Sequence, residues 1–148
     1  MPKLPLWIGT SAIAGRGLFT AKAIKQGRRI IQYTGEKITK AESDKRLADG
    51  NVYIFALNER SDIDAQAHRH AARYINHSCA PNCHVEMTSR TIWIVASRDI
   101  RAGEELTYNY GYELTEEPPH PCSCGVQNCC GYMLAPEYQE GVRQRHAR

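Results

Sequence analysis

Arg73-Tyr74-Ile75-Asn76-His77-Ser78-Cys79-Ala80-Pro81-Asn82-Cys83 gathers an amide, an imidazole, a hydroxyl and two thiols on one short segment. Pro81 fixes its own φ and has no N–H to donate, so no regular element continues through it. Polar, metal-capable groups on non-repetitive backbone suit a binding site better than a core. The elements flanking this segment decide what kind of scaffold carries it.

On its N-terminal side the chain reads as short strands. Leu6-Trp7-Ile8 opens, a glycine-rich turn with Gly15 and Gly17 follows, and Leu18 to Ala21 resumes an extended run. Gly-x-Gly alone is more often only a turn, although glycine does permit close approach of backbone to a ligand. Arg29 to Thr34 is β-rich, ending at Tyr33-Thr34-Gly35-Glu36. A helix is predicted next, because Thr39 and Glu42 have capping-box spacing and Gly50 stands where a helix stops. A strand over Val52 to Leu57 would put Tyr53 and Phe55 on one face. A short extended piece follows at Asp62 to Ala65, and one or two helical turns over His68 to Ile75 lead into the segment quoted above.

On its C-terminal side, Val85 to Met87 and Thr91 to Ser97 read as a hairpin. The pattern Ile24, Gly27, Ile30, Gly35 then recurs as Ile100, Gly103, Leu106, Gly111, which suggests two similar β-units facing one another. The prolines of Pro118-Pro119-His120-Pro121 make a stiff connector, and Glu137 to Gln144 reads as a last short helix. The expectation is a mainly β domain.

The chain has 148 residues, 42% hydrophobic and 24% charged, which suits one globular domain and excludes a disordered chain. Its net charge of +3 is dispersed until the tail Arg143 to Arg148, so no basic stripe announces nucleic acid and direct nucleic-acid binding is not expected. Met1 to Gly9 lacks the apolar stretch of a signal peptide, and the apolar run Ile92 to Ala96 is far too short to cross a bilayer. No membrane partner is expected. An intracellular, reducing setting is, nuclear in a eukaryote or cytoplasmic in a bacterium, where thiols remain available for metal.

Four of the six cysteines lie between Cys122 and Cys130, and Cys122, Cys124 and Cys129 spell C-x-C-x4-C. Zinc takes four ligands tetrahedrally and favours thiolates in structural sites. The fourth could be Cys130, Cys79 or Cys83, with His120 as an outsider. Cys130 adjoins Cys129, so both reaching one ion would strain the backbone. Cys79 is the better candidate, and it would staple the C-terminal segment to the quoted stretch.

Together these blocks resemble SET-domain protein lysine methyltransferases that carry a post-SET zinc segment. Ala14-Gly15-Arg16-Gly17 looks like the family's first cofactor-contacting turn, and Tyr33-Thr34-Gly35-Glu36 like its Y-x-G-E. Arg73 to Cys83 is similar to R-F-I-N-H-S-C-x-P-N-C, and Glu105 to Tyr110 to E-L-T-[FY]-D-Y. The resemblance covers nearly the whole chain, with a SET domain over 1–115, a post-SET zinc segment over 116–135 and a C-terminal helix with basic tail over 136–148. It implies a SET fold of several short twisted sheets, one or two short helices and a knot-like threading of the C-terminal segment. It also implies S-adenosylmethionine as methyl donor and a protein lysine, by analogy in a histone or histone-like tail, as acceptor.

By the same resemblance Tyr110 is the catalytic tyrosine, with Tyr33 and Tyr108 as further catalytic candidates and Phe55 and Tyr112 lining the lysine channel. Cofactor contacts are expected from Ala14, Gly15, Arg16, Tyr53, Arg73, Asn76, His77 and Tyr132, the last with Met133 over the adenine. Zn2+ is expected on Cys79, Cys122, Cys124 and Cys129. A tyrosine at 108 suggests mono- or dimethylation. Tyr74 replaces the commoner Phe, and Asn109 replaces the usual Asp. Cys130 stands where a basic residue is common, leaving a reactive spare thiol as one reading. The rival reading is a catalytically silent SET module that binds peptide or nucleic acid.

Overall fold

The computed structural model describes residues 3–66, 70–114 and 119–146. The expected start of a helical turn at His68, and Pro118 of the connector, lie outside these. Strands β1 (Leu6–Thr10) and β2 (Arg16–Thr20) pair antiparallel, with Trp7 opposite Phe19. Their rings stack at 4.4 Å, the kind of cross-strand contact that holds a two-stranded ribbon together.

A second sheet has the order β3 (Arg29–Gln32), β9 (Ile92–Ala96), β8 (Cys83–Met87), all antiparallel. The central position of β9 explains its nearly unbroken apolar sequence: Ile92, Ile94, Val95 and Ala96 are all buried, as expected of a strand covered on both faces. The third sheet orders β4 (Glu36–Thr39), β6 (Ser61–Asp64) and β5 (Ile54–Ala56). β4 was not legible from sequence, because Ile38 is its single apolar residue. The strand expected over Val52 to Leu57 shortens to the three residues of β5.

Helix α1 (Lys40–Ala48) follows β4 with Thr39 as its N-cap, accepting from the Glu42 N–H. Glu42 does not reach back to complete the capping box; its carboxylate pairs with Arg46 at 2.8 Å. Ser43 is the buried residue of this helix, so α1 is docked by charge rather than by an apolar face. The Arg46 guanidinium donates to Glu36 on β4 at 2.8 Å and to Asp64 on β6 at 2.7 Å, and Lys40 pairs with Asp62.

Asp64 is buried and also accepts from the Asn51 side chain at 2.9 Å and the Gln66 N–H at 2.9 Å. Burial raises its carboxyl, but Arg46, Asn51 and Gln66 outweigh burial and hold it below the ordinary aspartate range. The folded value is thus depressed, so its stabilisation is present at neutral pH and is lost as pH falls below that ordinary range. Asp64→Ala is expected to cost about 2–3 kcal/mol, since it leaves Arg46 and Asn51 short of a buried acceptor. Urea unfolding should show the loss at pH 7, with the gap to wild type narrowing in acid.

The repeated pattern does bring two units face to face. Ile24 and Ile100 form an antiparallel bridge with reciprocal N–H to carbonyl bonds of 2.9 and 2.8 Å. Each is followed by a turn glycine at positive φ, 86° at Gly27 and 89° at Gly103. Ile24, Ile100 and Leu106 join Leu18, Ile75, Ile92 and Ile94 in the main core.

Ala71–Tyr74 forms a 3-10 turn, and β7 (Asn76–His77) then pairs in parallel with β10 (Thr107–Tyr108). Two-residue strands have no periodicity to read, yet this pair sets the site. Helix α2 (Pro136–His146) begins on a proline, which the first helical position tolerates. Its Val142 packs with Leu134 and Cys130 in a second, smaller core.

Candidate active site

Asn82 clips the segment around β7 to the one around β10. Its Oδ1 accepts the Thr107 N–H at 2.9 Å, its Nδ2 donates to the Glu105 carbonyl at 2.8 Å, and its own N–H donates to Thr107 Oγ1 at 3.3 Å. An amide that both donates and accepts suits this two-sided role. Sequence reasoning left Asn82 as a motif residue without a task.

Asn76 does the equivalent on the other side. Its Nδ2 lies 2.9 Å from the Arg16 carbonyl, 2.9 Å from Glu105 Oε1 and 3.3 Å from the Ala14 carbonyl. Glu105 in turn accepts from Ser11 Oγ at 2.8 Å. Gly17 is required for that approach, because a Cβ there would lie 2.2 Å from Glu105 Oε1. The turn carrying Ala14, Gly15 and Arg16 is thereby held beside Asn76. Ser11 and Glu105 were missed as positioning residues, since their partners are remote in sequence.

His77 is fully buried, and its ring is committed within the protein. Nδ1 accepts the Tyr110 N–H at 3.0 Å, which leaves the ring proton on Nε2, 3.7 Å from Cys79 Sγ. Burial holds the imidazole down at about 4, so it is neutral at physiological pH. The ring joins the aromatic segment to the thiols and has no free edge for a ligand.

Arg73, Tyr53 and Tyr74 form a stacked group, with the guanidinium carbon 5.2 Å from the Tyr53 ring centre and 4.7 Å from that of Tyr74. Arg73 donates to the Gln66 carbonyl at 2.8 Å and to the Tyr74 hydroxyl. The latter bond, with help from the Arg16 charge, lowers the Tyr74 phenol. A phenylalanine at 74 could not accept it. Among the described residues Arg73 Nε is buried without a partner, a donor of the kind that a ligand carboxylate satisfies.

The aromatic residues form a continuous wall. Ring centres are 5.1 Å apart for Tyr33 and Phe55, 5.8 Å for Phe55 and Tyr108, 4.9 Å for Tyr108 and Tyr110, and 5.9 Å for Tyr110 and Tyr112. His120 extends it, 5.0 Å from Tyr112; sequence reasoning considered that ring only as a metal ligand. The Tyr110 hydroxyl donates to the Ile75 carbonyl at 2.7 Å and the Tyr33 hydroxyl to the Tyr53 carbonyl at 3.0 Å. Burial raises the phenols of Tyr33, Tyr108, Tyr110 and Tyr112. All four are therefore neutral at pH 7, so the tyrosine part of the wall is uncharged and supplies no phenolate base.

Below the wall lie the thiols. The sulfurs of Cys79, Cys122, Cys124 and Cys129 all fall within 4.8 Å of one another, and Cys79 Sγ is 3.7 Å from Cys129 Sγ and 3.9 Å from Cys122 Sγ. A tetrahedron with metal–sulfur bonds of about 2.3 Å has sulfurs about 3.8 Å apart, so the spacing fits a four-thiolate ion site. Burial pushes the Cys79 thiol up, and the Cys122 thiol up to about 12. Burial raises Cys124 too, but hydrogen bonds with the backbone of Cys79 and Val126 and with Cys122 outweigh it and hold that thiol at about 7. A cation is what would ionise all four together.

The remaining cysteines are packing residues. Cys130 is buried in the small core, its thiol donating to the Tyr132 carbonyl at 3.1 Å, which corrects the reading of a reactive spare thiol. Cys83 is buried in the main core on β8, with its thiol pushed up to about 12 by burial. Tyr132 packs against the small core, and the Met133 N–H donates to the His120 carbonyl at 2.9 Å, so the cysteine segment is tied back to the wall.

Residues 15–111 match the SET domain family. The chain belongs to the SET domain family. The matched region takes in the wall as far as Tyr110 and stops short of Cys122, Cys124, Cys129 and α2. Over 134 residues the chain is 42% identical to histone-lysine N-methyltransferase 2B of Homo sapiens, covering 83% of this chain and 5% of that protein. It is 39% identical over 141 residues to the H3 lysine-4 specific histone-lysine N-methyltransferase of Schizosaccharomyces pombe, covering 88% of this chain and 15% of that protein. The corresponding enzyme of Saccharomyces cerevisiae is 37% identical over 143 residues, 88% of this chain and 13% of that protein. This SET domain thus spans a small part of the length of each of these relatives. Among its described residues, no helix is long and apolar enough to cross a membrane.

Proposed function

We propose that this SET domain transfers methyl groups from S-adenosylmethionine to the side-chain amine of a protein lysine, with a histone H3 tail as the substrate class and the nucleus as its setting. The observation that carries this reading is the Tyr110 hydroxyl, held 2.7 Å from the Ile75 carbonyl among the uncharged tyrosines of the wall. S-adenosylmethionine supplies an electrophilic methyl on a sulfonium. The protein must then deliver a neutral amine, and deprotonating a lysine of pKa about 10.4 at pH 7 costs about 4–5 kcal/mol. Tyr33, Phe55, Tyr108, Tyr110 and Tyr112 favour the neutral amine by excluding water and offering no carboxylate to hold an ammonium.

The Tyr110 proton is directed at Ile75, so its oxygen presents lone pairs to the channel. Lone pairs on a fixed, neutral oxygen stabilise positive charge passing between donor and amine without trapping a proton. The donor's amino acid end fits the Arg73 Nε and the Tyr53 ring, its middle the turn of Ala14, Gly15 and Arg16 beside Asn76, and its adenine Tyr132 and Met133. For His77 the ring is engaged, which leaves its backbone for this role. Zn2+ on Cys79, Cys122, Cys124 and Cys129 would hold the Tyr132 segment in place.

The test is transfer of labelled methyl from S-adenosylmethionine to a histone H3 peptide. Peptide binding without any transfer would instead favour a silent binding module. Tyr108 is buried in the middle of the wall, between Phe55 and Tyr110, where its hydroxyl takes up room that a methylated amine needs. Mono- and dimethyl-lysine are therefore the expected products, and Tyr108→Phe should shift them toward trimethyl-lysine. Mass spectra in which the unaltered protein yields mainly trimethyl-lysine would refute this assignment.

A further inference from the structure

We propose that Asn109 is a positioning residue that makes the cysteine segment, α2 and the aromatic wall a single mechanical unit; its effect on turnover rests on the methyltransferase reading above. The Leu134 carbonyl lies between the last cysteine and α2, and it accepts two side-chain amides: Asn109 Nδ2 at 3.0 Å and Gln139 Nε2 at 2.8 Å. Leu134 is fully buried in the small core with Cys130 and Val142, against which Cys79 and Tyr132 also pack. Gln139 is buried as well, and its Oε1 accepts from Arg143 at 3.0 Å. One carbonyl therefore collects the thiol segment, the helix and the wall.

The other end of the Asn109 amide fixes the wall itself. Oδ1 accepts the Gly111 N–H at 2.7 Å, closing the turn that contains Tyr110. Beside it the Ala135 N–H donates to the Tyr112 carbonyl at 2.9 Å, so residues 109–112 and 134–135 are joined at two points. These partners set the orientation of the amide, since reversing it would put oxygen against the Leu134 carbonyl and N–H against N–H. The aspartate that the family pattern carries here can accept from Gly111 but has no proton for Leu134 at neutral pH. In this chain an aspartate would face the carbonyl with like charge, and the wall would lose its side-chain hold on Leu134.

The experiment compares Asn109→Asp and Asn109→Ser with wild type in the intact zinc-loaded chain, by residue-resolved amide hydrogen exchange and by steady-state methyl transfer. Both variants keep an acceptor for Gly111. Aspartate has no proton for Leu134, and the serine hydroxyl, one bond shorter than the amide, does not reach it. Serine also avoids the added charge should the aspartate variant fail to fold. Losing one part-buried hydrogen bond predicts that Ala135 exchanges about tenfold faster while Gly111 is unchanged. Misplacing Tyr110 predicts that kcat falls about tenfold with KM for the peptide within about twofold. Wild-type exchange at Ala135 in both variants would overturn the mechanical link. Faster exchange with full kcat would overturn its role in positioning Tyr110. If wild type transfers no methyl group, the proposed function fails, and the exchange at Ala135 still decides whether Asn109 couples the two segments.

Discussion

Tyr110→Phe is expected to reduce methyl transfer by about two to three orders of magnitude, the usual consequence of deleting one pre-aimed polar group from a dry site. The ring contacts with His77, Tyr108 and Tyr112 need no hydroxyl, and neither does the Tyr110 N–H bond to His77. The change should therefore be close to isosteric. Its structural cost is the donor to the Ile75 carbonyl, about 1 kcal/mol. Zinc content and S-adenosylmethionine affinity, read by metal analysis and calorimetry, should match wild type while turnover collapses. Full turnover in the variant would remove Tyr110 from the catalytic role.

Removing zinc is expected to have the largest effect on structure. Saturation at about a thousandfold excess over Kd contributes about 4 kcal/mol, which in a domain of this size is about 10 °C in Tm. A strong chelator, or Cys124→Ser, should lower Tm by that amount and open residues 119–146 to protease. Residues 15–111 have their own core around Leu18, Ile75, Ile94 and Leu106 and should stay resistant. Metal release should steepen in acid, because protons compete for the thiolates. A purified protein without stoichiometric zinc, unchanged by chelation, would refute the site.

Much of this was legible in the sequence because the relevant signals are local. The Thr39 cap, the apolar run of β9, the C-x-C-x4-C spacing and the tyrosines at 108, 110 and 112 all announce themselves within a few residues. The repeat of Ile24 and Ile100 was legible too, since two similar β-units have similar hydrophobic and turn patterns. Cys79 came to the other three sulfurs, as elimination among the thiols suggested.

What stayed hidden depends on partners that no local pattern encodes. β7 and β10 are too short to show a period, and β4 is polar because α1 docks on that sheet through Arg46 rather than through apolar contact. The imidazole of His77 looks like a ligand in its motif, yet the Tyr110 N–H claims it. Asn82, Ser11 and Glu105 serve as clips only after distant segments meet. His120 sits within the proline connector, eight residues from Tyr112, the tyrosine it touches, and nothing in its neighbours foretells that contact.

The parallel pairing of β7 with β10 also bears on how the protein acquires its site. The segments it unites are far apart along the chain, and contacts of that kind cost loop-closure entropy before they return any stabilisation. The β8–β9 hairpin and the β5–β6 pair can form early from neighbouring residues. Asn76, His77 and Asn82 must wait for Glu105, Thr107 and Tyr110. During synthesis the site is thus completed late. The contacts of Asn76 with Ala14 and Arg16 and of Tyr33 with Phe55 involve earlier residues, but Tyr110 takes its place only when the chain around Tyr108 docks beside β7.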